Sequence, residues 1–122
     1  MSAPAGRLAG RVALVTRGGR GFGRTVVEAF GAEGIEAFTR ATALEFGPHG
    51  VTVNAIAPGG IDTDMSRAVM TPEYRARRIQ ELPVRHLGAL ADVAYCAVFL
   101  AAESSNYLTG QVLQPDGGRV MA

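Results

Sequence analysis

Residues 11–16 read Arg-Val-Ala-Leu-Val-Thr, a short apolar and partly β-branched run that ends at glycines, which predicts a buried strand. From about Phe22 the period changes. Val27, Phe30, Gly34, Phe38, Ala41 and Leu44 recur at steps of three and four, so the pattern predicts a helix with one apolar face. The phase runs unbroken through Gly31 and Gly34, although each glycine costs about 1 kcal/mol against alanine in a helix interior. Gly47-Pro48 ends it. Residues 51–57 predict a second strand, closed by Pro58-Gly59-Gly60. A polar loop follows, then a charged helix from roughly Pro72 to Glu81 that Pro83 terminates. Residues 90–102 predict an apolar helix with Asp92 near its positive end, and residues 110–114 a last short strand before Pro115-Asp116-Gly117-Gly118.

Strand, helix, strand, helices and strand in this order predict an α/β protein with a parallel sheet and right-handed crossovers. Neither an internal repeat nor a linker is visible, so residues 1–122 read as one domain.

Composition narrows the chemistry. The chain is 48% hydrophobic and 19% charged, which favours a folded domain over a disordered one. A formal net charge of +1 predicts no general attraction to nucleic acid or to an anionic membrane. All twelve basic residues are arginine, so no lysine chemistry is available. Cys96 is alone and forms no internal disulfide, which agrees with a reducing cytoplasm. The first ten residues lack the apolar core of a signal peptide. The longest apolar run, residues 93–102, is about half of a membrane span. A cytoplasmic protein is expected.

Thr16-Arg17-Gly18-Gly19-Arg20-Gly21-Phe22-Gly23 lies where a strand passes into a helix. Glycines there let the backbone approach an anion, and the free N–H groups of the helix start can bind it. A tight connecting turn without a ligand is the other reading of the same residues. A Walker-type phosphate loop is excluded, because it needs a lysine.

Four segments together resemble the short-chain dehydrogenase/reductase family: VALVTRGGRGFGR, IEAFTRATALEFGPHGVTVN, NAIAPGGIDTDM and LTGQVLQPDGG, in that order. The resemblance implies a Rossmann-like three-layer α/β fold, here reduced to a short parallel sheet of about three strands. It also implies an NAD(P)-dependent oxidoreductase ancestry. Gly19, Arg20, Gly21, Phe22 and Gly23 match the pyrophosphate-facing positions, and Gly59, Ile61 and Thr63 match the loop on the nicotinamide side. Arg20 resembles the basic residue that accompanies NADP preference. Arg17 departs from the pattern by occupying its first glycine.

Family members use a serine and a Tyr-x-x-x-Lys pair, the pair standing directly before the segment matched by Gly34-Ile35-Glu36. Counting back, Glu28 holds the tyrosine position and Ala32 the lysine position. The serine segment, the Asn-Asn-Ala-Gly segment and the second strand are absent as well. Residues 31–35 therefore look like a junction that joins the end of the first helix to the middle of the active-site helix. One continuous helix of about 37 Å is expected from 1.5 Å per residue. No catalytic residue is assigned. The resemblance implies a truncated pseudoenzyme with weak residual NADP binding at most. The alternative is an active NADP-dependent oxidoreductase with an unusual catalytic set, using Tyr74 or another improvised acid. Exposed sheet edges and uncovered apolar helix faces predict a homo-oligomer, or pairing with a full-length family member.

The remaining candidates for substitute chemistry each have a plainer reading. Tyr74 and Arg78 stand four apart but read as a solvated helix face. Tyr95 reads as core, and Tyr107 as packing or capping near the last strand. His49, His86 and Cys96 lack metal-ligand spacing. There is no Gly-x-Ser-x-Gly elbow. Asp62 and Asp64 read as hydrogen-bond acceptors of a loop rather than as an acid/base pair.

Overall fold

The computed structural model describes residues 24–121, with side chains from Gly34 onward. The predicted first strand and the glycine loop, including Gly19, Arg20, Gly21, Phe22 and Gly23, lie outside the described residues. The described part is helix-rich α/β: α1 (Arg24–Phe46), β1 (Ala55–Ile56), α2 (Asp64–Val69), α3 (Pro72–Glu81), α4 (Leu90–Ala101) and β2 (Val112–Leu113). It is a partial Rossmann-like fold with a two-stranded sheet. The strands are parallel. Ala55 N–H donates to Gln111 O at 2.9 Å and Ala57 N–H to Leu113 O at 2.8 Å, so both strands advance together along the ladder. The described residues fall into two compact units, one of residues 24–55 and 98–112, the other of residues 56–97 and 113–121.

In the first unit, α1 runs unbroken for 23 residues through Gly31 and Gly34, as its periodicity predicts. A 3-10 turn at Gly47–His49 ends it, and Gly50 closes that turn at φ 74°, a left-handed conformation that glycine adopts without a β-carbon penalty. Burial on α1 does not follow the apolar repeat. Thr39 and Ala43, one helical turn apart, are buried, whereas Phe38 and Leu44 are 71% and 80% exposed. Gly110, at φ 70°, explains part of this choice. A β-carbon on it would lie 3.6 Å from Ala43 Cβ, so the chain passes close over the small-residue face.

Strand β1 is shorter than the sequence predicts because side chains take over its neighbouring rungs. Asn54 donates through Nδ2 to Leu108 O at 2.9 Å and accepts through Oδ1 from Gln111 N at 3.1 Å. Val53 N–H donates to Thr109 Oγ1 at 3.0 Å. These bonds satisfy backbone groups that a longer ladder would otherwise pair. Buried Ser105 closes the chain after α4, its hydroxyl lying 2.9 Å from Leu100 O and 2.8 Å from Ala102 O.

In the second unit, α3 has the predicted bounds. Thr71 caps it by accepting from Tyr74 N at 3.2 Å, and Pro72 occupies the first helical turn. The polar loop expected before it contains α2, a helix the apolar pattern does not signal. Its signal is a reciprocal cap: Ser66 N–H donates to Thr63 Oγ1 at 3.0 Å while Thr63 N–H donates to Ser66 Oγ at 2.8 Å. Leu82, at the end of α3, is 4% exposed and is the buried apolar side chain of this unit among the described residues.

Two expectations for tyrosines are corrected. Tyr95 stands on α4, is 71% exposed and does not enter a core, because α4 buries none of its side chains. Tyr107 is fully exposed and packs against nothing.

Candidate functional site

The segment after β1 carries the described residues to which the sequence assigns cofactor contact: Gly59, Ile61 and Thr63. Two sets of backbone bonds fix it. Gly59 N–H donates to Pro115 O at 3.2 Å, continuing the direction of the β1–β2 ladder. On the other side Gly88 N–H donates to Gly60 O at 2.9 Å and Asp62 N–H to Gly88 O at 2.8 Å, a parallel bridge centred on Ile61 and Gly88. The loop is thus held on both sides by backbone bonds rather than by a packed core.

Gly59 also has a packing use within the unit. A β-carbon on Gly59 would stand 2.6 Å from Asp116 Cα and 2.7 Å from Asp116 Cβ, so the missing side chain admits the 115–118 backbone. Gly88 likewise admits Ile61, whose Cδ1 would lie 2.8 Å from an added β-carbon. Thr63 accepts the Ser66 N–H as the α2 cap, which leaves its hydroxyl proton available to a ligand.

Two carboxylates organise the surroundings. Asp116 accepts Gly118 N–H at 2.9 Å on one oxygen and Val120 N–H at 2.8 Å on the other. These donors, with Val120 the strongest, hold its carboxyl below the usual carboxylate range. Asp62 receives the Arg75 guanidinium as a fork, 3.0 Å to Oδ1 and 2.8 Å to Oδ2, and Arg67 Nη1 at 2.9 Å. The Arg75 hydrogen bonds are the main cause of its lowered pKa, with the nearby positive charges adding to it. Arg67 also reaches Asp64 Oδ1 at 2.5 Å. Both aspartates thus act as acceptors, as the sequence predicts, though Asp64 sits on α2 rather than in a loop.

Sequence reasoning missed Asp116 as an organiser and Arg75 of α3 as the partner of Asp62. The Asp-Gly-Gly turn after the last strand is a signal for the first. Nothing local marks the second, since Asp62 and Arg75 are thirteen residues apart.

Two cavities open beside this loop. One of about 210 Å³ is lined by Leu82, Val84 and Pro115, with Gly60, His86 and Asp92 among its other walls. The other, about 250 Å³, is bounded by Pro58, Gly59, Gln114, Asp116 and Arg119. Pockets for drug-sized ligands run from about 300 to 1,000 Å³. Each cavity is smaller than that range and has room for a single ring or a short chain.

None of the three tyrosines lines either cavity. Tyr74 is 41% exposed on α3 with the Arg77 guanidinium 5.3 Å from its ring centre, the exposed helix face the sequence predicts.

Comparison with known proteins places this arrangement. The family described as Enoyl-(Acyl carrier protein) reductase matches residues 17–119. The chain belongs to the short-chain dehydrogenase/reductase family. It is 43% identical over 84 residues to an acetoacetyl-CoA reductase of Rhizobium meliloti (strain 1021), covering 69% of this chain and 35% of that protein. It is 42% identical over 90 residues to the 3-oxoacyl-(acyl-carrier-protein) reductase FabG of Pseudomonas aeruginosa, covering 73% of this chain and 36% of that one. A crystal structure of a candidate gluconate dehydrogenase from Agrobacterium tumefaciens superposes with a TM-score of 0.69 at 37% identity, over 74% of this chain and 36% of the other. The chain spans little more than a third of the length of the curated relatives it matches. Among the described residues no helix is long and apolar enough to cross a membrane.

Proposed function

We propose that this chain is an internally deleted short-chain dehydrogenase/reductase with little or no carbonyl or alcohol oxidoreductase activity of its own. On this reading it retains at most weak affinity for NADP(H), works in the cytoplasm and associates with copies of itself. The observation that carries it is the absence of lysine from a chain that keeps the flanking family segments in order. Carbonyl reduction needs a proton donor beside the hydride acceptor, and a phenol must be acidified to serve near neutral pH. Glu28 and Ala32 stand at the tyrosine and lysine positions and cannot replace the pair. Arginine is planar and differently placed, so it is no substitute for an ammonium. The unbroken course of α1 across residues 31–35 supports a junction that preserved helical phase.

Weak rather than full cofactor binding is supported by the described half of the site. Asp116 occupies the space beside Gly59, and the Thr63 hydroxyl proton is one polar group left for a nicotinamide-sized ring. Self-association is supported by the apolar side chains that α1 leaves in solvent, Ile35, Phe38 and Leu44. The same exposed side chains suit a full-length family member as partner.

Titration with NADPH, turnover with acetoacetyl-CoA and solution mass form one experiment. Weak saturation, no turnover and a mass above that of the 12.7 kDa chain are expected. Robust turnover by pure protein refutes the inactive reading. A monomer that captures a full-length relative replaces self-association with the second partner.

A further inference from the structure

Helices α2 and α3 bury none of their side chains. They have six and ten residues, below the roughly 12–15 that an isolated helix needs to persist in water. Something other than a core must keep them folded. At the end of α3 the answer is Leu82, against which Gly117 sits without a β-carbon. An added one would lie 2.8 Å from Val84 Cγ2 and 3.7 Å from Leu82 Cδ2. At the start of the segment there is no such apolar anchor. There the Thr63–Ser66 cap ties only α2 to the loop, whereas Asp62 ties both helices to it, through the Arg75 fork and the single Arg67 bond.

We infer that Asp62 is a latch that couples the folding of α2 and α3 to the 57–63 loop, so that neutralising this one carboxylate melts residues 64–81 as a unit while the rest of the chain stays folded. The geometry supports one cooperative unit rather than two. Arg75 is contributed by α3 and Arg67 by α2, and both converge on the same carboxylate, 3.0 Å and 2.9 Å from Oδ1 respectively. Losing it frees both helices together. The loop itself does not depend on the latch, because its backbone bonds to Pro115 and Gly88 run independently of Asp62's side chain. The groups facing Asp62 are Arg67 and Arg75, with Asp64 competing for Arg67. Asp62 is 30% exposed and Arg75 34%, so solvent and added salt reach the pair. Low-stability segments of this kind open locally without global unfolding.

The inference stands whether or not the chain binds a nucleotide. Its test is amide hydrogen exchange on the full chain, comparing wild type, Asp62→Asn, the charge-exchanged pair Asp62→Arg with Arg75→Asp, and wild type in about 1 M salt. Asp62→Asn is expected to speed exchange across residues 64–81 roughly tenfold or more, with residues 35–46 unchanged. Salt should act in the same direction, and the exchanged pair should restore part of the protection. Unchanged exchange in residues 64–81 of Asp62→Asn overturns the latch. So does global unfolding of that variant, which would make Asp62 a general staple. If the asparagine variant is insoluble, the salt series decides alone: acceleration confined to residues 64–81 supports the latch, and none overturns it.

Discussion

The two compact units hold themselves together by different means. The first buries small side chains, Thr39, Ala43, Ala102 and Ser105, and zips its segments with the Asn54 side chain. Ile35, Phe38 and Leu44 on α1 stay in solvent. The second buries one large side chain, Leu82, and relies on two aspartates and on glycines that let backbones touch. The contrast teaches where each unit is vulnerable. Close backbone approach and charge pairing fail abruptly when one atom is added or one charge removed. A small-residue face with a polar zipper tolerates changes on its open side.

The largest expected effect separates glycines of the two units. Gly59→Ala pushes a β-carbon against the Asp116 backbone and should destabilise by about 2–3 kcal/mol, as overpacked sites do. Gly34→Ala meets nothing within 4 Å on exposed α1 and should stabilise by up to about 1 kcal/mol. Urea midpoints for the two variants test the comparison, and shifts of the same sign break it. Next comes Asn54→Ala, which strips partners from Leu108 O and Gln111 N and should cost about 1–3 kcal/mol in the first unit. Thr63→Ala removes one cap bond of α2 and should cost about 1 kcal/mol, seen as faster exchange at the Ser66 amide.

Acid sharpens the comparison further, because Asp62 and Asp116 both belong to the second unit and both have lowered pKa values. A carboxylate with a folded pKa below its unfolded value contributes stability that is complete above the unfolded value. That contribution is lost as pH falls through the folded one. For these two groups the loss begins only below about pH 4. The Gly118 and Val120 amide resonances report Asp116 directly and should titrate in that acid range. A midpoint above the ordinary aspartate value contradicts the assigned hydrogen bonds.

Much of the fold was legible. The three-four repeat located α1, Thr71-Pro72 located the start of α3, and Gly47-Pro48 marked where α1 stops. The cap at Thr63 was also written locally, but in Ser66 rather than in apolar spacing, so α2 went unseen. Of the candidate site, the Pro58–Thr63 segment was placed correctly as the turn after a strand. The partners of its residues were not, because Asp116 lies fifty-seven positions beyond Gly59 and Arg75 thirteen beyond Asp62.

By itself the sequence determined the family, the order of helices and strands, the caps that start and stop them, and the lack of any lysine. Those properties depend on residues within a few positions of one another, or on composition alone. The tertiary structure decided that Thr39 and Ala43 rather than Phe38 and Leu44 are buried. It also decided that Gly59 makes room for Asp116, and that one carboxylate gathers two arginines. Periodicity states which faces a helix offers. Only the closing of distant chain segments determines which face is covered, because that choice depends on what arrives within van der Waals reach.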